Sequence, residues 1–254
     1  MKQIPNLFTL LNLVFGCMAI VFILQTGETI VLLQNEGFTD VNLPEKLTWG
    51  SYCIFAAAVV DFLDGFIARM FKATSPMGKQ LDSLADVVSF GVAPGMILYQ
   101  LLRISYAQQE NGLDISIAWI LPAFLIPCAA AWRLAKFNLD EGQQFSFRGV
   151  PTPAVGLFIA SLPLIIWSQA FGIQQYFINR WILYAIILLL SYLMISDLPF
   201  MSMKTKDLSV KNNLPRYILV AGGIIAAIAL HWLAIPVIFL LYLVLSLAFK
   251  TKIS

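Results

Sequence analysis

The chain has a single histidine, His231, which stands between two apolar runs, far in sequence from any cluster of carboxylates. A lone imidazole there reads as a helix-turn residue and argues against histidine acid–base pairs and His-rich zinc sites. Cysteine is nearly as scarce. Cys17, Cys53 and Cys128 each lie inside an apolar run, with no C-x-x-C and no Cys/His ligand spacing. They read as small buried hydrophobes rather than metal ligands or a disulfide framework. Charge is short as well. Only 12% of the 254 residues are Asp, Glu, Lys or Arg, with a net charge of +2, where a soluble domain carries about 25%. The apolar runs do not alternate in the ~10-residue segments of a transmembrane barrel. There is no internal repeat, low-complexity tract or separate soluble domain, and no nucleic-acid partner is expected.

What is abundant is apolar sequence: 59% hydrophobic residues and a mean hydropathy of +0.82. Several runs reach the ~20 residues needed to cross ~30 Å of hydrocarbon. The expected fold is all-α, integral to a membrane, with eight transmembrane helices. The first runs from Leu7 to Leu24, with Pro5 and Asn6 at its start; it is too long for a signal-peptide core and no small-residue cleavage site follows. After a polar connection at 25–46, whose TIVLLQ reads as a short interfacial segment, helices are expected at about 47–70, 79–102, 115–137, 150–171 and 180–195. The last apolar block, 217–249, would reach ~50 Å as one helix, so it is split near His231 and Trp232.

With the N-terminus in the cytoplasm, 13 of the 16 Lys and Arg fall inside, leaving Lys46, Arg103 and Arg180 outside. This is the positive-inside pattern. It places both termini on the cytoplasmic side of the inner membrane. Residues 1–196 form a membrane core, 197–216 a basic cytoplasmic loop, and 217–254 a C-terminal helix pair and tail. The basic loop sets topology, or alternatively touches anionic lipid headgroups.

Four carboxylates break the apolar pattern. Asp61 and Asp64 are three residues apart, Asp82 and Asp86 four apart, so each pair occupies one helix face. A buried charge of this kind costs about 2.5–3.5 kcal/mol at the bilayer centre. The short connection makes their helices antiparallel neighbours, and the pairs converge. Converging like charges repel and call for cations. An all-oxygen set suits Mg²⁺ or Mn²⁺, which complete their shells with water and phosphate; two ions match four acids. Gly65, Ala68 and Gly78 either leave the helix surface open to a bulky phosphorylated ligand or serve close helix packing.

The pattern D-x2-D-G-x2-A-R-x8-G-x3-D-x3-D is met at Asp61, Asp64, Gly65, Ala68, Arg69, Gly78, Asp82 and Asp86. In this the chain resembles the CDP-alcohol phosphotransferase family. The resemblance implies a dimeric membrane enzyme with a six-helix core and divalent metal. Such an enzyme moves a phosphatidyl-type group from a CDP-linked lipid to an alcohol and releases CMP. It implies that Asp61, Asp64, Asp82 and Asp86 bind the metals and that Asp86 is also the general base. Gly65, Ala68 and Gly78 would line the cytidine site and Arg69 support the nucleotide end. Asn6 and Thr9 either cap the first helix or touch the CDP-lipid.

Four further stretches, IPNLFTLLNL (4–13), DSLADVVSFGVAPG (82–95), RLAKFN (133–138) and FRGVPTPAVG (147–156), look like the phosphatidylserine synthase branch of that family. Lys136 and Val150 depart from it conservatively, where arginine and leucine are expected. The implied donor is CDP-diacylglycerol and the implied acceptor L-serine. Its carboxylate needs a cation, and Arg133, Lys136 and Arg148 are the candidates, with Asn138 for the amine or a phosphate. Arginine suits the task because it grips a carboxylate with two parallel hydrogen bonds; topology setting is the competing reading of each. Rival acceptors are glycerol 3-phosphate, inositol phosphate and choline. A divalent-cation transporter is the rival from another class, and the lack of repeats and interrupted helices argues against it.

Overall fold

The computed structural model describes residues 4–25, 28–34, 37–43, 46–71, 75–108, 115–139, 147–168, 172–201 and 210–249. Helix α1 (Ile4–Leu24) leads to a hairpin of β1 (Glu28–Gln34) and β2 (Gly37–Leu43), then to α2 (Leu47–Met70). Next, α3 (Pro76–Asp86), a π-helical segment Val87–Val92 and α4 (Ala93–Ala107) follow one another without a break. Two 3₁₀ turns, Ile117–Trp119 and Leu121–Phe124, enter α5 (Leu125–Leu139). The strand β3 (Phe147–Arg148) precedes α6 (Thr152–Ser168), the short α7 (Gln174–Phe177) and α8 (Arg180–Ile195). Strand β4 (Pro199–Phe200) follows, and α9 (Val210–Leu230), a 3₁₀ turn His231–Leu233 and α10 (Ala234–Ala248) close the chain.

Among the described residues, four helical stretches are long and apolar enough to cross a membrane: Pro5–Leu24, Leu47–Met70, Pro76–Ala107 and Asn213–Ala248. Thr152–Ser168 and Arg180–Ile195 are apolar but shorter. Leu7, Val14, Val21, Val59 and Ile228 are among the apolar side chains that face outward from these helices, as expected of a surface solvated by lipid.

The expected helical fold stands, with two short β pairings beside the helices. Residues 28–34, which contain the TIVLLQ run expected as a short interfacial segment, pair antiparallel with 37–43, in register from Glu28↔Leu43 to Gln34↔Gly37. The β-branched run Thr29-Ile30-Val31 favours extended backbone. A two-residue bridge pairs Phe147 with Phe200 and Arg148 with Pro199. Boundaries shift too. The third helix begins at Pro76 rather than Lys79, because Ser75 caps it through Gly78 N–H (2.9 Å) and Pro76 takes the first turn. The fourth is entered through 3₁₀ turns, since Pro122 lacks the N–H that an α-helical turn uses. The last block is broken at His231, as expected, where φ is +50°. However, α9 already begins at Val210, so part of the expected 197–216 loop is helical, and 202–209 lie outside the described residues. Cys53 is buried as expected, whereas Cys17 and Cys128 face outward.

The Pro76–Ala107 stretch is far more buried than the other three long ones and forms the axis of the core. Phe90, Ile97, Leu98 and Leu101 pack there with Ile126 of α5 and Ile159 of α6. Helix α1 crosses this axis closely at Gly16, where any Cβ would collide with Ser89 Oγ and approach Ser89 Cα to 3.0 Å. Turning the Ser89 hydroxyl away would still leave contacts of 3.0 and 3.1 Å to Ser89 Cα and N, which are backbone and cannot rotate. Gly16→Val is expected to destabilise the protein by about 1–3 kcal/mol through overpacking, read as a lower thermal unfolding midpoint in detergent. An unshifted midpoint would show that the crossing has slack.

Candidate active site

The two acidic pairs do converge. On α2, Asp61 is half-buried and Asp64 buried; on α3, Asp82 is half-buried and Asp86 buried. One carboxylate oxygen from each of Asp61, Asp64 and Asp82 lies within 4.8 Å of the others. Asp86 stands outside this trio but close enough for its charge to interact with those of Asp61 and Asp82. Asp86 is the last residue of α3, and the π-helical segment starts immediately after it. A π turn shifts the helical register by adding a residue to the turn, so the face carrying the acids ends where the core-facing run begins.

Helix α1 supplies the polar partners from one face. Thr9 Oγ1 donates to Asp64 Oδ2 at 2.8 Å, with Pro5 O as a second acceptor at 3.2 Å. Asn12 Nδ2 donates to Asp86 Oδ1 at 3.3 Å, and the Asn12 carbonyl accepts from Ser89 Oγ at 3.0 Å. Among the described residues no ion pair reaches any of the four aspartates. Three converging carboxylate oxygens without a compensating lysine or arginine are the donor set of a hard divalent cation, and the residues present fit one.

Beside the acids lies a cavity of about 470 Å³. Asp64 and Asp82 form its acidic wall, and Asn6, Thr9, Gly65, Ala68 and Gly78 line it together with Pro5, Ser75, Pro76 and Lys79, none of which the sequence reading assigned to it. Arg69 is exposed on the next turn of α2, its Nη1 3.9 Å from where a Gly65 Cβ would stand. At Gly78 a Cβ would be 3.1 Å from Asn6 Oδ1, so the missing side chain lets α3 start close against α1. Asn6 and Thr9 both sit inside α1, which begins at Ile4. The capping alternative for them is therefore overturned; a cap precedes the helix.

Arg133 of α5 is buried at 8% exposure. Its Nη1 donates to Thr152 Oγ1 at 3.0 Å, and its Nε has no partner. Asp86 and Tyr242 are ionisable groups within its electrostatic reach. Lys136 is exposed and paired with Asp197 at 2.6 Å, whereas Arg133 is buried. Asn138 Nδ2 donates to Ser83 Oγ at 2.8 Å, next in sequence to Asp82, while its buried Oδ1 is unpartnered. The backbone of Arg148 lies in β3, but its side chain is outside the described residues. The sequence reading missed Asn12, Ser83 and Tyr242. Asn12 had a signal: Asn6, Thr9 and Asn12 recur every three residues as a polar stripe on an apolar helix.

A sequence model of CDP-alcohol phosphatidyltransferase matches residues 2–195, and the chain belongs to this family. Its relatives agree. A Helicobacter pylori protein called CDP-diacylglycerol–serine O-phosphatidyltransferase is 29% identical over 221 residues, 85% of this chain and 77% of that one. The Bacillus subtilis protein of that name is 31% identical over 132 residues, 50% of this chain and 70% of its own length. The Mycobacterium leprae protein is 32% identical over 200 residues, 76% and 61% respectively.

Proposed function

We propose that the chain transfers the phosphatidyl group of CDP-diacylglycerol to the hydroxyl of L-serine, giving phosphatidylserine and CMP. The observation that carries this reading is the position of Asp86. It neighbours the Asp61–Asp64–Asp82 trio, two of whose members line a cavity of about 470 Å³, and it is within electrostatic reach of the buried Arg133 guanidinium, whose Nε–H has no partner. Asp61, Asp64, Asp82 and Asp86 would hold two divalent cations, Mg²⁺ or Mn²⁺. When bound, these neutralise the pyrophosphate and polarise its phosphoryl oxygens. Asn6, Thr9, Gly65, Ala68, Arg69 and Gly78 surround the CDP part of the donor.

Arg133, with Asn138 and Arg148, holds the serine carboxylate and amine. Asp86, kept in orientation by the Asn12 amide, takes the proton from the serine hydroxyl. The freed oxygen forms a bond to the lipid-side phosphorus. The bond from that phosphorus to the bridging oxygen breaks, and CMP departs with the electron pair.

Around this site the chain forms a core at 1–196, a basic segment at 197–216 and a C-terminal pair at 217–254. It crosses the cytoplasmic membrane eight times as a homodimer, with both termini and the site facing the cytoplasm. Purified protein given CDP-diacylglycerol and Mn²⁺ is expected to release CMP only when serine is added. Glycerol 3-phosphate, inositol phosphate and choline should give at most background. Release driven equally by one of these would transfer the reading to that acceptor.

A further inference from the structure

The family match ends at residue 195, yet the acceptor side of the site is tied to a helix well beyond it. The tie is a chain of specific contacts. Arg133 is held by Thr152, the first residue of α6 (3.0 Å). The chain enters α6 through Gly149, whose φ of +76° and whose approach to the Met194 carbonyl admit no side chain. This turn is pinned by two backbone bonds, Gly149 N–H to Leu198 O at 3.1 Å and Val150 N–H to Leu193 O at 3.0 Å. Directly before it, β3 pairs with β4.

The residue that follows β4, Met201, is buried at 3% exposure and needs both backbone groups satisfied. Both partners come from α10. Tyr242 OH donates to Met201 O at 3.2 Å, and Met201 N–H donates to Ser246 Oγ at 3.2 Å. Tyr242 and Ser246 are four residues apart, so one helix face presents them together. The Tyr242 ring also stacks on Phe200 of β4, with centroids 6.1 Å apart and planes at 23°.

From this geometry we infer that Tyr242 and Ser246 are positioning residues for the acceptor subsite. They clamp Met201, and through the β4–β3 ribbon and the Gly149 turn they set where Thr152 holds the Arg133 guanidinium. The inference rests on the reading of Arg133 as the acceptor-carboxylate group. Neither α10 residue touches the donor cavity, so the clamp acts on one substrate and not the other. A buried structural bond without this role would alter both substrates, or stability alone.

The test uses the full-length protein in detergent with CDP-diacylglycerol and Mn²⁺. Tyr242→Phe keeps the ring on Phe200 and removes the donor; Ser246→Ala removes the acceptor. Each is expected to raise the KM for serine about five- to ten-fold, in line with one lost buried hydrogen bond. The KM for CDP-diacylglycerol and the kcat at saturating serine should stay within about two-fold. Ser246→Thr, which keeps the hydroxyl, should return the serine KM to near the wild-type value. An unchanged serine KM in a folded variant, or equal changes in both KM values, overturns the clamp. If Ser246→Ala fails to fold, Tyr242→Phe decides alone. Wild-type protein that releases no CMP with serine overturns the acceptor reading itself, and the clamp with it; serine-dependent release by wild type leaves the variants to judge the clamp.

Discussion

Asp86→Asn is expected to lower kcat by about 10²–10⁴-fold, the range of a positioned general base, while CDP-diacylglycerol still binds. The amide is isosteric with the carboxyl and presents an oxygen to Asn12 Nδ2, so the 3.3 Å contact survives. The helix and its π-helical continuation are untouched. What disappears is the ability to take a proton from the incoming hydroxyl. The carboxylates that line the cavity are Asp64 and Asp82, not Asp86, so binding of the CDP-lipid should remain measurable even though one metal-side carboxylate is lost. Equilibrium binding of a labelled CDP-lipid, measured beside turnover, separates the two effects. Full activity in this variant would remove Asp86 from the proton-transfer role.

The second large effect concerns the carboxylate trio. Chelation is expected to reduce turnover to background, and Mg²⁺ or Mn²⁺ to restore it, because three oxygen donors within 4.8 Å suit hard ions. Stability provides a readout independent of catalysis. A cation binding only the folded state stabilises it by about 2.7 kcal/mol at a hundred times its dissociation constant. The thermal midpoint of the metal-free protein should therefore rise with added Mn²⁺. Asp61→Asn should act in the opposite sense on the two states. It relieves repulsion among Asp61, Asp64 and Asp82, so the metal-free midpoint rises, while the increment from Mn²⁺ shrinks. A metal-free midpoint that falls, with an undiminished Mn²⁺ increment, would mean that these acids do not share an ion.

These effects also show which parts of the site were legible from residue order. The spacing of Asp61, Asp64, Asp82 and Asp86 was enough to place each pair on one helix face, because side-chain direction repeats with the helix itself. The apolar runs were enough to place most helices, since lipid demands about twenty apolar residues and satisfied backbone groups. The break at His231 followed from length alone. The hairpin at 28–43 was less legible. Its apolar content reads equally as helix or strand over so few residues, and cross-strand pairing settled it.

The assignment of partners was not legible at all. Lys136 looked like Arg133 in sequence, two cations one turn apart on the same helix. In the structure one is paired with Asp197, 61 residues away, and the other is buried with an N–H that has no partner. Asn12 meets Asp86 across 74 residues, and Thr9 meets Asp64 across 55.

Residue order, then, established a helical membrane protein with a two-pair acidic centre, since helical period and hydrophobic length are properties of a short window of chain. Packing decided which acid stands outside the trio, which cation keeps an N–H without a partner, and that Tyr242 and Ser246 of α10 hold Met201. Those outcomes depend on how close helices approach at places such as Gly16 and Gly78, and on which buried polar group finds a partner first. No local window contains either.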